Sequence, residues 1–322
     1  MNDFVPIIDL SGRHTAAGRA AIADAIGRAC ETSGFFIIVG HGVPDDLVDR
    51  MYRTTNAFFT LPDEQKDLVA DGPGVSGFRR VITTAHALNQ KTPPDLCETF
   101  SSHPTGELSD EERSGLGDYW APWKLANSWP AEPADFQPTW AEYTKVMADL
   151  AADLMRLSAK ALGVAEDFFA DKFDRHVSSL AANYYPPQLR PPLPGQMRRG
   201  PHSDFGGLTI LYVEDDLGGL QVHQEGTGWR DVPAIPGTFV VNIGDLMALW
   251  TGDRWVSTLH RVVPPERGNT SSRISIPFFY LPNHDVLVEP ITPRDDQQSS
   301  GVVAGEWIST QMSKIFAPAL DV

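Results

Sequence analysis

Apolar residues in the first half of the chain recur mainly at helical spacing. Ile22, Ile26 and Cys30 follow one another every four residues within 16–31, which predicts an amphipathic helix. A second helix is expected after Pro44, where acidic residues occupy the first turn, and a third near 61–64. The longest candidate is 139–162, where an apolar stripe runs from Met147 to Ala161.

A second pattern, which consists of short apolar runs, indicates strands. The run GFFIIVG at 34–40 is bounded by glycines and predicts a buried strand, and 5–10 predicts an edge strand because it contains a proline. After Val177 such runs follow at close intervals, separated by Gly, Pro, Asp and Asn: 180–185, 208–213, 220–223, 238–243, 259–263 and 273–281. Many short strands separated by such turn-forming residues are typical of a β-sandwich or barrel.

These patterns predict a single domain over 1–322. Its expected parts are a mostly helical N-terminal region at 1–176, a β core at 177–290 and a C-terminal helix within 291–322. The segment 71–127 looks irregular and is rich in Gly, Pro and aromatic residues. Long loops of this kind in compact domains are usually lids or binding loops.

Composition narrows the classes of partner. The 322 residues are 42% hydrophobic and carry a net charge of −16, which disfavours nucleic acid and anionic membranes as partners. Arg190, Arg198 and Arg199 are the only hint of a basic patch, and a solvated loop explains them equally well. Two cysteines, no signal peptide and no apolar run near the roughly 20 residues of a membrane span predict a cytoplasmic protein, monomeric by default.

The strongest chemical pattern is His202-x-Asp204 followed by His260. Two imidazoles and one carboxylate can fill one face of an octahedral metal ion and leave three positions open, as non-haem Fe(II) oxygenases require. Residues two apart on a strand point to the same side, so His202 and Asp204 could converge on one ion. The same three ligand types also suit zinc, so the spacing alone leaves both metals open.

A second pattern lies further along the chain, where Arg273 and Ser275 share one face of an otherwise apolar strand. A cation in such a strand is costly unless it pairs with an anion, and arginine suits bidentate binding of a carboxylate. An internal salt bridge to Asp or Glu is the alternative explanation.

Taken together, the motifs resemble those of the isopenicillin N synthase-like family of Fe(II)/2-oxoglutarate-dependent oxygenases. The similar blocks run nearly end to end: PIIDL at 6–10, GFFIIVGHGVP at 34–44, LPDEQK at 61–66, NYYPP at 183–187, HSDFGGLTIL at 202–211, GLQV at 219–222, NIGD at 242–245, STLHRV at 257–262 and SRISIPFF at 272–279. The resemblance implies a mainly β fold with flanking α-helices, whose core is a distorted double-stranded β-helix (a cupin-like jelly roll).

The resemblance also implies roles for particular residues. His202, Asp204 and His260 match the iron ligands of the family, and Arg273 and Ser275 match the pair that binds the distal carboxylate of 2-oxoglutarate. Two further positions match residues that often line the co-substrate site: Asn183 and Tyr185. His41 matches no ligand and is interpreted as structural.

The implied activity is oxidation of a small molecule by O2, coupled to decarboxylation of 2-oxoglutarate. Hydroxylation, desaturation and cyclisation are all compatible with the motifs. Members of this family often act in specialised-metabolite (natural product or antibiotic) biosynthesis, and the resemblance favours such a role. Candidate substrate contacts are Phe78, Arg79, Arg80, Phe100, Tyr119, Trp123, Phe205, Leu220 and Tyr280. Within 77–80, the two arginines could hold an acidic substrate, and a solvent-facing loop is the alternative.

Three other functions remain compatible with the motifs. One is an oxidase of the same fold that uses no 2-oxoglutarate, as isopenicillin N synthase does; there the matching Arg and Ser hold a substrate carboxylate. The second is a non-catalytic jelly-roll binding module, which an intact ligand triad disfavours. The third is a zinc hydrolase with the same three ligands, which Arg273 disfavours.

Overall fold

The computed structural model describes residues 4–70, 76–80, 93–116, 123–214, 217–265, 271–292 and 301–315. Its α-helices are α1 (Ala16–Thr32), α2 (Asp45–Phe59), α3 (Asp63–Lys66), α4 (Asp110–Ser114), α5 (Phe136–Leu162), α6 (Asp245–Trp250) and α7 (Ala304–Ile315). Short 3-10 helices cover Ser11–His14, Asp67–Val69, Pro104–Glu107 and Ala170–Lys172. None of the helices within these ranges combines the length and apolar character needed to cross a bilayer.

The strands follow the chain as β1 (Ile7–Asp9), β2 (Phe35–Val39), β3 (Gly77–Arg79), β4 (Glu98–Ser102), β5 (Ser179–Tyr185), β6 (Arg199–His202), β7 (Leu208–Val213), β8 (Leu220–Gln224), β9 (Gly228–Asp231), β10 (Phe239–Ile243), β11 (His260–Val262), β12 (Arg273–Tyr280), β13 (Leu287–Val288) and β14 (Val302–Val303). Eight of them form a major sheet in the order β1-β2-β10-β7-β12-β5-β4-β3, and four form a minor sheet in the order β6-β11-β8-β9.

The two sheets face each other across a shared apolar core. Phe35 and Val240 of the major sheet belong to the same buried cluster as Leu220, Val222 and Val262 of the minor sheet. All pairings in both sheets are antiparallel except that of β1 with β2. Two facing antiparallel sheets of this kind confirm the predicted jelly roll, the double-stranded β-helix.

Helices cover the outer face of the major sheet. α1 and α2 both pack against α5, and their apolar stripes join one large core with the sheet. An aromatic cluster lies between α2, α5 and β4: Phe58, Phe100, Phe136 and Trp140, with ring centroids about 5 Å apart. Each such ring removed from water contributes on the order of 1.5–3 kcal/mol to folding, so this cluster anchors the helical layer.

The predicted helices at 16–31, after Pro44, near 61–64 and at 139–162 are confirmed as α1, α2, α3 and α5. The N-terminal region is less purely helical than expected, since it supplies β1 to β4 to the major sheet. The expectation of irregular structure over 71–127 is wrong for its described parts, which contain β3, β4 and α4. The patterns also missed β6 and β9, which are short and polar.

Candidate active site

A cavity of about 210 Å³ lies between the two sheets. Its floor is the inner face of the major sheet, where small side chains such as Ser101, Ala181 and Ser179 leave room. Its opposite wall comes from the minor sheet, and α7 adds Ile308 and Met312 at one side. Most of the lining is apolar, as is usual for sites that bind small organic molecules.

His202, Asp204 and His260 lie together at this cavity. His202 and His260 are Cα partners across β6 and β11, and their ring centroids are 4.2 Å apart. Asp204 Oδ1 is 4.0 Å from Nε2 of His202 and 3.7 Å from Nε2 of His260. Within the described residues these are the one group of three His, Cys, Asp or Glu side chains with metal-binding geometry. Asp204 lies two residues beyond the end of β6, so a turn rather than strand alternation brings it to the site.

Both imidazoles turn Nε2 toward this point. Nδ1 of His202 donates to the carbonyl of Gly200 at 2.8 Å, and Nδ1 of His260 donates to that of Thr258 at 3.2 Å. A carbonyl only accepts, so Nδ1 carries a proton in each ring and Nε2 is the nitrogen left for a metal. Burial, helped by the nearby positive charges, lowers the pKa of His202 to about 3, which keeps that ring neutral.

Asp204 is held so that one oxygen is left for a ligand. Its Oδ2 accepts hydrogen bonds from Thr209 Oγ1 at 2.6 Å and from Asn242 Nδ2 at 2.7 Å. Burial acts to raise the pKa of Asp204, and the two imidazoles with these hydrogen bonds outweigh it, so the pKa lies below its usual value. Oδ1 of the ionised carboxylate therefore points toward the histidines.

The turn that carries Asp204 packs tightly against the start of α6. A Cβ atom on Gly244 would lie 2.5 Å from the carbonyl oxygen of Gly206, so no larger residue fits there. Asp245 then accepts hydrogen bonds from Ser203 and from Ser257 at 3.3 and 2.6 Å. It thus connects the segment before Asp204 with the segment before His260, and both ligand-bearing segments are braced from behind.

Arg273 provides a buried positive charge beside Tyr185, a residue of the cavity lining. Its side chain is 1% exposed, and none of its three guanidinium nitrogens has a hydrogen-bond partner among the described residues. The guanidinium lies 5.3 Å from the centroid of the Tyr185 ring, and Tyr185 Oη is 3.5 Å from Ser275 Oγ. The internal salt bridge considered from the sequence is therefore not formed within the described part of the chain. An unpaired buried cation of this kind requires an anionic ligand.

Ser275 begins a row of polar side chains that crosses four strands. It is the Cα partner of Asn183 on β5, which pairs with Thr99 on β4, which pairs with Arg79 on β3. All four line the cavity, and Thr99 Oγ1 donates to Asn183 Oδ1 at 2.9 Å. We call these residues, Arg79, Thr99, Asn183 and Ser275, the polar row.

The structure separates the candidate substrate contacts into two groups. Those that line the cavity are Arg79, Trp123, Phe205 and Leu220. Phe78 and Phe100 point to the other face of their strands, into the aromatic core, and Tyr280 stacks on Phe173 with centroids 4.6 Å apart. Side chains alternate between the two faces of a strand, and these three residues occupy positions that face away from the cavity. Their prediction as substrate contacts was wrong for this reason.

Arg80 also lies outside the cavity, where it forms ion pairs with Asp63 and Asp67 at the surface. Tyr119 falls outside the described residues. His41 is structural, as expected: its Nδ1 accepts from the amide of Val43, and its ring packs on Phe239.

Several residues of the site had no individual role in the sequence prediction. Thr209 and Asn242 orient Asp204, and Asp245 braces the ligand segments, although all three stand inside blocks that resemble the family. Arg199, interpreted from the sequence as part of a solvated loop or basic patch, lines the cavity instead. Ile308 and Met312 of α7 carried no signal beyond helical spacing.

Two facing imidazoles and one available carboxylate oxygen in a jelly roll form a candidate metal site of the two-histidine, one-carboxylate class. Comparisons with known proteins identify the family. The model of the 2OG-Fe(II) oxygenase superfamily matches residues 176–282, and that of the N-terminal region described as "non-haem dioxygenase in morphine synthesis N-terminal" matches residues 5–132.

Individual relatives and solved structures support the same family assignment. Validamycin A dioxygenase of Streptomyces hygroscopicus subsp. limoneus is 34% identical over 299 residues, covering 90% of this chain and 80% of the relative. A full-length Neurospora crassa protein, solved in complex with α-ketoglutarate, superposes with a TM-score of 0.83 at 26% identity and covers 97% of this chain and 98% of its own. JOX2, solved with 2-oxoglutarate, iron and JA, gives a TM-score of 0.78 at 28% identity, covering 95% and 84%.

The chain belongs to the 2OG-Fe(II) oxygenase superfamily. It is an Fe(II)- and 2-oxoglutarate-dependent dioxygenase, an oxidoreductase whose cofactor is non-haem iron and whose co-substrates are 2-oxoglutarate and O2.

Proposed function

We propose that His202, Asp204 and His260 hold the iron of this enzyme, and that Arg273 with Ser275 binds the distal carboxylate of 2-oxoglutarate. The observation that carries the proposal is the buried guanidinium of Arg273, which lacks a partner in the described chain. It lies against Tyr185, which lines the same cavity as the triad. Both groups fit: two imidazoles that turn Nε2 to one point and one carboxylate suit Fe(II), and an arginine without a partner in the described chain suits a carboxylate.

When bound, iron with 2-oxoglutarate and O2 supplies an oxidant strong enough for an unactivated C–H bond. The chain's own residues hold and orient the ligand side chains. The Nδ1–H donors of His202 and His260 fix the imidazole rings, and Asn242 and Thr209 fix the carboxylate of Asp204. Asn183 and Tyr185 line the cavity beside Ser275.

The primary substrate in this proposal is a small organic molecule. The supporting observation is the mostly apolar cavity of about 210 Å³, a size and lining that suit a compact organic ligand. A place in specialised-metabolite biosynthesis is supported by the relative named validamycin A dioxygenase. Arg79, Trp123, Phe205 and Leu220 are the proposed substrate contacts.

The same proposal treats residues 1–322 as one catalytic domain that works as a monomer in the cytoplasm, without nucleic acid or membrane partners. The continuous major sheet, which takes strands from both halves of the chain, supports the single domain. The net charge of −16 supports the absence of polyanionic partners.

Succinate release from 2-oxoglutarate, measured in the presence of a library of small molecules, tests this function. The expected result is that at least one small molecule stimulates succinate release and is itself recovered in oxidised form. Stimulation only by folded proteins or nucleic acids would overturn the proposed substrate class, and a full catalytic cycle without 2-oxoglutarate would favour the oxidase alternative.

A further inference from the structure

Two donors near the start of β4 converge on the amide oxygen of Asn183. Thr99 Oγ1 donates to Asn183 Oδ1 at 2.9 Å, and Cys97 Sγ lies 3.7 Å from the same oxygen. Burial raises the pKa of the Cys97 thiol to about 12, so the thiol keeps its proton and is itself a weak donor. Because an amide oxygen only accepts, these two neighbours determine which end of the amide faces β4.

The opposite orientation of the amide would deprive Thr99 of its acceptor. Thr99 is 5% exposed, so its hydroxyl proton needs a partner inside the protein. The other hydrogen-bond contact of this hydroxyl within the described chain is Cys97 Sγ at 3.7 Å, and a thiol sulfur is a weak acceptor. If Asn183 turned its Nδ2 toward Thr99, the hydroxyl would be left with sulfur alone. The Thr99 hydroxyl therefore selects the orientation of the amide.

The selected orientation leaves the Asn183 nitrogen available to a ligand. Nδ2 has no hydrogen-bond partner among the residues that the structure describes, and yet it is not shut off by the protein around it. Since Asn183 lines the cavity, its two N–H donors are open to a molecule held there. Donors of this kind suit an acceptor oxygen.

The amide of Asn183 lies beside the proposed anchor of 2-oxoglutarate. Asn183 is the Cα partner of Ser275 across β5 and β12, and directly opposed residues of antiparallel strands are about 5 Å apart. Tyr185 and Arg273, the next pair along the same face, belong to the same anchor. Thr99 stands one strand further away, on β4, and its hydroxyl proton is already donated to Asn183. Thr99 therefore acts at this anchor through the amide and not by direct contact.

We propose that Thr99 is a positioning residue, which holds Asn183 as a dedicated hydrogen-bond donor to an oxygen of 2-oxoglutarate. The inference rests on the proposed function, since it assumes that Arg273 and Ser275 hold the distal carboxylate of that co-substrate. A primary substrate with an acceptor oxygen is a second source of the same chemistry. Binding of 2-oxoglutarate in the absence of any primary substrate distinguishes the two.

The test measures binding of 2-oxoglutarate to the full chain loaded with Zn(II), a form that is inert to O2, by isothermal titration calorimetry. Thr99→Val nearly preserves the side-chain volume and removes the hydroxyl donor. We expect it to raise the dissociation constant of 2-oxoglutarate about 3- to 10-fold, the usual effect of one lost hydrogen bond. Thr99→Ser keeps a hydroxyl and should bind 2-oxoglutarate nearly as tightly as the wild-type chain does.

A double-mutant cycle separates positioning from a general structural effect. Asn183→Leu alone should weaken 2-oxoglutarate binding, and adding Thr99→Val to it should cause no further loss, because Thr99 acts through the amide that is already gone. Thr54→Val is the matched control, since the buried hydroxyl of Thr54 donates to Asp135 in the helical layer and does not line the cavity. It should leave the dissociation constant unchanged. Thermal unfolding checks each variant, and Thr99→Ala replaces Thr99→Val if the latter does not fold.

Three results would overturn the inference. They are an unchanged affinity for 2-oxoglutarate in the folded Thr99 variant, an unchanged affinity in Asn183→Leu, and additive losses in the double variant. Failure of the proposed function gives a different result: the wild-type chain binds no 2-oxoglutarate in either its Zn(II) or its Fe(II) form, or Arg273→Met binds it as tightly as the wild-type chain. Tight binding by the wild-type chain and loss in Arg273→Met, without an effect of Thr99→Val, would overturn the inference alone.

Discussion

Asn242 donates a 2.7 Å hydrogen bond from Nδ2 to Oδ2 of Asp204, the carboxylate oxygen that faces away from the two histidines. Together with the hydroxyl of Thr209, this bond keeps Oδ1 directed into the cavity. The amide therefore controls the orientation of the carboxylate and not only its charge.

Replacing Asn242 by leucine removes that donor and nearly preserves side-chain volume. We expect Fe(II) affinity to fall about 10- to 100-fold, the usual effect of losing a partner of a metal ligand. Thr209→Val is the matched variant for the second bond and should act in the same direction. Competitive metal titration measures the affinity, thermal unfolding confirms the fold, and an unchanged affinity in both variants would contradict the orienting role.

Removal of a ligand has a stronger effect. His202→Ala and Asp204→Ala should each abolish iron binding and turnover, because two remaining ligands cannot hold the ion at one face. His223→Ala is the control, since His223 on the neighbouring β8 packs on Trp229 and does not line the cavity. Iron content after desalting and 2-oxoglutarate turnover are the measurements. Unchanged turnover in either ligand variant would refute the assignment.

Arg273→Met separates co-substrate binding from stability. Loss of the ion pair should raise the dissociation constant of 2-oxoglutarate at least about 30-fold, equivalent to about 2 kcal/mol. The free energy of unfolding of the ligand-free chain should stay the same or increase, because a buried charge without a partner in the described chain disappears. Arg261→Met, which alters an arginine stacked on Trp229, is the control. An unaltered requirement for 2-oxoglutarate would contradict this role.

Asp95 should make the stability depend on pH. Burial raises its pKa from 3.8 to about 6, so between these values the folded chain keeps a proton that the unfolded chain has lost. Stability therefore falls as the pH rises through this window, by up to about 3 kcal/mol relative to Asp95→Asn, which does not titrate. Urea unfolding of both proteins between pH 4 and pH 7 measures the difference, and parallel curves would contradict the raised pKa.

The sequence was sufficient for the fold class, the main helices and the metal triad, because helical spacing and ordered motif blocks are local signals. It was insufficient where the prediction depended on which face of a strand a side chain occupies. Phe78 and Arg79 are neighbours, yet one packs in the aromatic core and the other lines the cavity. Arg199 was harder still, because its direction depends on a register irregularity between β6 and β11 that neither strand encodes alone.

Helix α7 contributes Ile308 and Met312 to the cavity wall, whereas every proposed iron ligand comes from residues 202 to 260. The wall on the N-terminal side likewise comes from β3 and β4, far from the ligands in the chain. Substitutions in these peripheral elements can therefore reshape the substrate chamber while the chemistry at the centre stays intact. In this architecture, a single oxidative centre can acquire new substrates by exchange of its two outer walls, each encoded by a separate short stretch of the gene.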